Sequence, residues 1–223
     1  MRVFLVFIGA LLFSIQTQAG DLRIIDKPID FGKQRVELTK EYIKNHYGLD
    51  VKDITINPKI IVLHWTAVPS LEGSFDRLKP ELLLTDRKDI AAAGALNVSS
   101  HFLVDKDGSI YRLMPDNYMA RHTIGLNYYA IGIENVGGKG DKSEDLTQAQ
   151  VEANVYLVRY LKTKYPEIEL LIGHYEYGRM KKTKYWLEKD DNYFTQKNDP
   201  GDIFMKAVRS RVVDLGFKDT SEF

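Results

Sequence analysis

Five short segments gather the residues of this chain best suited to chemistry. In order they are Leu63-His64-Trp65-Thr66, Ser99-Ser100-His101-Phe102, Ile131-Gly132-Ile133-Glu134, Ile172-Gly173-His174 and Lys197-Asn198-Asp199-Pro200-Gly201. Histidine is scarce, five in 223 residues, and four of the five lie in or beside these segments. Imidazole and carboxylate groups ligate metals and move protons near neutral pH. Each segment ends or follows an apolar run, where a sheet can hold such a group rigidly. Taken singly, every segment also has a plain structural reading. A histidine closing an apolar strand is commonly a core or rim residue, and Asp-Pro-Gly is commonly a turn. Glu134 alone reads as an edge-strand carboxylate or a salt-bridge partner. His64 and His174 lie too far apart in sequence for the short spacings that make zinc patterns specific.

The elements that must position these residues follow from the apolar patterning. Lys59 to Leu63 is a β-branched run fit for a buried strand that delivers His64 at its C-terminal end. His101 to Val104 and Ser109 to Leu113 form a hairpin pattern, joined by Asp105-Lys106-Asp107-Gly108. Tyr129 to Val136 is a further apolar run closed by Gly137-Gly138, and Glu169 to Ile172 is a strand leading to His174. Thr147 to Tyr165 has a helical face of Val151, Val155, Val158 and Leu161, and Pro166 ends it. Asp202 to Leu215 predicts a last amphipathic helix. Thr39 to Tyr47 predicts a short helix with Thr39 as N-cap and Gly48 as stop. Residues 20–35 read as irregular, and residues 67–97 as a long stretch holding a short helix near 76–93. Alternating strands and helices predict an α/β fold with a single mixed central β-sheet flanked by helices.

Composition narrows the setting. Lys plus Arg and Asp plus Glu balance at 31 each, so no basic excess argues for nucleic acid or an anionic membrane as partner. There is no cysteine, so neither a disulfide frame nor thiolate metal ligands are available. Residues 1–19 read as a secretory signal peptide: Arg2 is the positive start, Val3 to Phe13 the apolar run, and Thr17-Gln18-Ala19 the cleavage site. The other reading is a membrane anchor, for which the run is short against the ~20 residues a spanning helix needs. Cleavage places the protein in the periplasm or outside the cell, with no stable membrane span and no cysteine for a lipid anchor. The expected organisation is a signal peptide at 1–19, an N-terminal extension with a short helix at 20–58, a catalytic domain at 59–216 and a tail at 217–223.

In combination and in order, the five segments resemble the zinc-dependent N-acetylmuramoyl-L-alanine amidase family, which shares its fold with peptidoglycan recognition proteins and the T7 lysozyme amidase. The resemblance runs from about Ile60 to about Phe204. It covers the His-x-Thr after the first strand, the Ser-x-His-Phe-x-Val hairpin, Ile-Gly-Ile-Glu, Gly-His, and Lys-x-Asp-Pro-Gly. It implies Zn²⁺ held by His64, His174 and Asp199, three protein ligands that leave a fourth position open as in a catalytic site. It implies Glu134 as the acid/base and Lys197 as the cation that stabilises an oxyanion. His122 falls where the family has a Trp-His-Ala-Gly type segment lining the substrate groove, with Arg121 in place of the tryptophan. His122, Arg121, Asn97 and Trp186 are therefore the candidate substrate-binding residues, and His101 and Thr66 the candidates for support behind the metal. His46 matches nothing in the family and reads as surface.

A second departure is the length of the loop between His174 and Asp199, residues 175–198. Its part from Arg179 to Gln196 carries Arg179, Lys181, Lys182, Lys184 and Lys189 interleaved with Tyr185, Trp186, Tyr193 and Phe194. It reads either as a surface for sugar faces and carboxylates or as a solvated insertion. The implied function is hydrolysis of the amide between N-acetylmuramic acid and L-alanine in peptidoglycan or muropeptides, in cell-wall turnover or remodelling. The rival readings are a non-catalytic peptidoglycan-binding module, a zinc endopeptidase acting on stem peptides, and an exported toxin.

Overall fold

The computed structural model describes residues 22–138 and 145–220. Residues 1–19, which read in the sequence as a signal peptide, lie outside the described residues, as do the last residues of the tail. Six strands form one mixed sheet in the order β1-β4-β3-β5-β2-β6. They are β1 (Ile24–Asp26), β2 (Ile60–Trp65), β3 (Phe102–Val104), β4 (Ile110–Arg112), β5 (Ala130–Asn135) and β6 (Leu170–Gly173). Strands β3, β5, β2 and β6 run parallel, while β4 is antiparallel to β3 and carries β1 parallel to itself. The expected α/β class with one mixed, helix-flanked sheet is the observed one. No helix among the described residues is long and apolar enough to cross a membrane.

The two-residue period of the central strands sorts their side chains onto two faces. Ile61, Leu63, Ile131, Ile133 and Leu171 share a core with α3 (Gln148–Lys164) and α4 (Asp202–Arg209). Ile60, Val62, Ala130, Leu170 and Ile172 share the opposite core with Leu126, Tyr177, Met180 and Tyr185. Continuing the second series gives His64 after Val62, His174 after Ile172 and, past Gly132, Glu134. The alternation thus places all three at the C-terminal ends of neighbouring parallel strands, on the face away from α3 and α4. That is where open α/β sheets build their ligand crevices.

Local chemistry fixes the ends of these elements. Thr147 caps α3 by accepting from the Gln150 N–H while Gln150 reaches back to the Thr147 N–H. Inside α3, Asn154 donates to Asn135 Oδ1 at 2.7 Å, and Asn135 donates to the His64 carbonyl at 2.9 Å. This buried amide chain pins the end of β2. Gln150 closes the same edge by donating to the Val104 and Val136 carbonyls.

Four expectations are corrected. The first helix, α1, runs Lys33–Tyr42 and continues as a π-helical turn, Ile43–Tyr47, to a left-handed Gly48. Thr39 is not its N-cap: it is buried mid-helix, donating its hydroxyl to the Arg35 carbonyl at 2.7 Å. The buried Arg35 guanidinium gives α1 its early start, binding the Asp30, Lys79 and Pro80 carbonyls. Residues 20–35 are correspondingly not irregular throughout, since they also supply β1. In the long stretch, α2 is Leu71–Leu78, earlier than the expected 76–93, with Ser70 as N-cap. Pro80 sets this limit because its ring disfavours helix at the residue before it. The last helix stops at Arg209 rather than Leu215, followed by a 3-10 turn at Val213–Leu215.

Candidate metal centre and cleft

His64 is the next-to-last residue of β2, with its partner Glu134 directly opposite on β5, and Leu63 pairs with Gly173, the residue before His174. Asp199 comes from the loop that opens α4, and the Tyr175 N–H donates to its carbonyl at 3.0 Å. Three donor atoms converge: His64 Nδ1 and His174 Nδ1 are 3.0 Å apart, and Asp199 Oδ2 is 3.2 Å from the first and 3.0 Å from the second. All three residues are buried. A tetrahedral ion with bonds of ~2.0–2.1 Å holds its donors ~3.3 Å apart, so the observed triangle fits a zinc-sized ion with little adjustment. Two imidazoles and one carboxylate are a donor set suited to zinc.

The electrostatics agree with that use. Burial first, then the neighbouring His174, pushes the His64 imidazole down to about 4, so a neutral ring faces the centre. Burial opposes ionisation of Asp199, yet His174 and the hydrogen bonds at His174 and His64 hold its carboxyl well below the usual carboxylate range. Glu134 is the opposite case. Burial, reinforced by the Asp199 charge, pushes its carboxyl up to about 8, against the pull of Arg87 and Lys197. Its Oε2 is buried and has no hydrogen-bond partner among the described residues. A raised, unpartnered carboxyl beside a cluster of metal-ligating groups is poised for proton transfer.

These groups line a cleft of about 360 Å³ together with Lys197, Thr66, Arg121, His122, Arg77 and Arg87. Lys197 and Asp199 thus share one cleft. The Thr66 hydroxyl lies at its edge, accepting from the Val68 N–H and the Ser74 hydroxyl. The other candidates are placed differently. Arg121 reaches the cleft wall but is 2 % exposed, its guanidinium turned to the Gly94, Leu96 and Ile90 carbonyls and the Tyr193 hydroxyl. Asn97 is fully buried, donating to the Arg77 and Pro80 carbonyls, and does not line the cleft. Trp186 is also outside it, stacked near Tyr177 and lying over Gly125, where a Cβ would come within 2.7 Å of its ring. Arg77, Arg87 and Thr195 line the cleft without having been singled out in the sequence. The only signal for the two arginines was their place in the long stretch after His64.

The segment between His174 and Asp199 faces solvent over much of its length but is tied to the body at several points. A 3-10 segment, His174–Lys182, with Met180 buried, leads into a strap whose Tyr185 and Glu188 are buried. The Leu187 N–H donates to the Gly125 carbonyl and the Lys189 N–H to the His46 carbonyl. His46 is accordingly not a surface residue: its side chain is 12 % exposed, with Nδ1 at 3.0 Å from Glu188 and Nε2 at 3.1 Å from the Ala93 carbonyl. Of the strap's aromatics only Tyr193 reaches the cleft.

His101 sits deeper, fully buried, accepting from the Gly132 N–H at Nδ1 and donating from Nε2 to the Tyr118 carbonyl. Burial pushes its imidazole down to about 4, against an unfolded value of ~6.5. The unfolded chain therefore takes up this proton first on acidification. Stability carried by His101 is complete above pH ~6.5, falls as the pH drops, and levels off below the folded value, a loss of about 3 kcal/mol at most. Urea titrations at pH 7 and pH 4.5 are expected to show a smaller acid loss for His101→Gln than for the wild type. Equal losses would contradict a neutral, buried His101.

Residues 55–202, well over half of the 223, match the family described as N-acetylmuramoyl-L-alanine amidase. Among curated proteins, the chain is 31 % identical over 84 residues to an endolysin of Klebsiella phage KP32, covering 36 % of this chain and 56 % of that protein. It is 30 % identical over 105 residues to the endolysin of Escherichia phage T7, covering 44 % and 69 % respectively. Among solved structures, the endolysin N-acetylmuramoyl-L-alanine amidase LysCS from Clostridium intestinale URNW aligns with a TM-score of 0.50 and 19 % identity. That alignment covers 86 % of this chain and 95 % of the other, a likeness of fold.

Proposed function

Because the chain belongs to the N-acetylmuramoyl-L-alanine amidase family, we propose that it hydrolyses the amide between the lactyl group of N-acetylmuramic acid and the L-alanine of the stem peptide, using zinc. The observation that carries this reading is the convergence of His64 Nδ1, His174 Nδ1 and Asp199 Oδ2 within 3.2 Å, beside a carboxyl with a free buried oxygen. His64, His174 and Asp199 hold the ion. A zinc ion there would supply Lewis acidity and a more acidic water, and its charge would draw the Glu134 carboxyl down toward the range of a general base.

Glu134 takes a proton at Oε2 from the attacking water and returns it to the departing amine. Both transfers suit a carboxyl whose two protonation states lie close in energy near neutral pH. Lys197 provides the cation beside the developing oxyanion, in a partly buried cleft where such a charge acts more strongly than in water. The strap and the loop tied together by Arg121 form the wall against which the substrate lies. The same reading places the enzyme in the periplasm or outside the cell, acting in wall turnover, with residues 1–19 as its signal peptide.

The test is the chemistry of the products. Purified muropeptides incubated with the protein are expected to yield free lactyl-sugar and peptides that begin with L-alanine. New amines from within the stem peptide would make it an endopeptidase. Retained binding without cleavage would make it a recognition module. The complete donor set and the presence of Glu134 and Lys197 favour the enzyme over the binding module.

A further inference from the structure

We infer that His122 is a positioning residue for the metal ligand His64: it accepts the His64 Nε2–H and so presents a bare His64 Nδ1 to the metal, and Gly132 exists to make room for it. The inference rests on the proposed metal reading of the His64, His174 and Asp199 cluster.

A backbone carbonyl fixes the first hydrogen of the series. His122 Nε2 lies 3.3 Å from the Ala130 carbonyl oxygen, which can only accept, so Nε2 carries the hydrogen. A neutral imidazole protonated there has a bare Nδ1. That Nδ1 is 3.1 Å from His64 Nε2, which therefore donates to it. A neutral His64 that donates from Nε2 has its lone pair on Nδ1, the atom 3.0 Å from His174 Nδ1 and 3.2 Å from Asp199 Oδ2. The carbonyl at the start of β5 thus sets the tautomers of two rings in series and aims the second at the metal. Metal-ligating histidines are commonly fixed this way through their other ring nitrogen.

The surroundings hold the pair in register. Thr123 Oγ1 is 2.9 Å from His122 Nδ1 and 3.5 Å from His64 Nε2, a hydroxyl able to serve either ring. Asn127 Oδ1 accepts the backbone N–H of both His122 and Thr123, at 2.9 and 2.7 Å, which fixes the loop that presents the ring. His64 and His122 meet edge to face, centroids 5.1 Å apart. Beneath His122 lies Gly132, the glycine of Ile-Gly-Ile-Glu. A Cβ there would stand 2.8 Å from the His122 Cγ, closer than real contacts allow. Its φ is not positive, so alanine is barred by the ring rather than by the backbone. With both ring nitrogens engaged by the protein, His122 has none left for the groove role implied by the family resemblance.

The experiment is zinc affinity, by competition with a chromophoric chelator, on the full chain and four variants. His122→Ala and Gly132→Ala are expected to weaken zinc binding by ~10–100-fold. His122→Asn, whose amide oxygen can accept where Nδ1 did, is expected to recover most of that loss. His64→Ala serves as the control for the metal reading. Long-range ¹H–¹⁵N spectra of the metal-free protein supply a second readout: His64 as the Nε2–H tautomer in the wild type, a mixture in His122→Ala. Zinc affinity within twofold of wild type in both His122→Ala and Gly132→Ala, with His64→Ala defective, overturns the positioning role and leaves the metal site standing. Undiminished affinity in His64→Ala overturns the metal reading itself. Should His122→Ala not fold, Gly132→Ala and His122→Asn carry the same decision.

Discussion

His174→Ala is expected to lose the metal and the hydrolysis together. The substitution removes one of three donors whose atoms lie 3.0–3.2 Å apart and leaves His64 and Asp199 facing a gap. Two donors hold zinc far more weakly than three, so metal content after gel filtration is expected to fall from about one per chain to near zero. Lewis-acid stabilisation amounts to several kcal/mol, and each 1.36 kcal/mol is tenfold in rate, so turnover is expected to drop by at least ~10³-fold. His174 is 7 % exposed and sits at a cleft wall, so the fold is expected to survive, with an unchanged far-UV spectrum. A folded His174→Ala protein that keeps both zinc and turnover would remove His174 from the site.

Glu134→Gln is expected to separate chemistry from metal binding. The amide keeps the shape of the carboxyl but cannot accept and return a proton. Loss of general acid–base catalysis costs ~10²–10⁴-fold in kcat, with KM and zinc content close to wild type. Stability is expected to hold or rise slightly. Burial already pushes this carboxyl up to about 8, and its Oε2 has no partner to lose among the described residues, so a neutral amide meets no new penalty. A loss of zinc in this variant would mean that Glu134 is a ligand instead. An unchanged kcat would leave the proton transfers without their residue.

The strands that carry the chemistry were legible because burial on both faces demands continuous β-branched runs, and such runs can be read without knowing what covers them. That patterning alone places His64, Glu134 and His174 at strand ends. Their common face follows only once the parallel register of β2, β5 and β6 is known. The α3 boundaries were legible for a similar reason, with Thr147 before the periodic face and Pro166 after it. What failed was decided by groups distant in sequence. Arg35 draws α1 to an early start by binding carbonyls more than forty residues away. Arg121, expected in the groove, spends its donors on the 90–96 loop and the strap. His46 reads as surface until Glu188 is seen to fold back onto it. The strap itself has no strong period, so its packing through Tyr185, Trp186 and Leu187 leaves little trace in the sequence.

In the proposed reaction, cleavage depends on an ion held by His64, His174 and Asp199. The most direct test is to strip the wild-type protein with a chelator, assay muropeptide cleavage, and titrate zinc back. Cleavage that disappears on stripping and returns in proportion to zinc, saturating at one ion per chain, is the predicted result. Cleavage that persists in the fully stripped protein would contradict it.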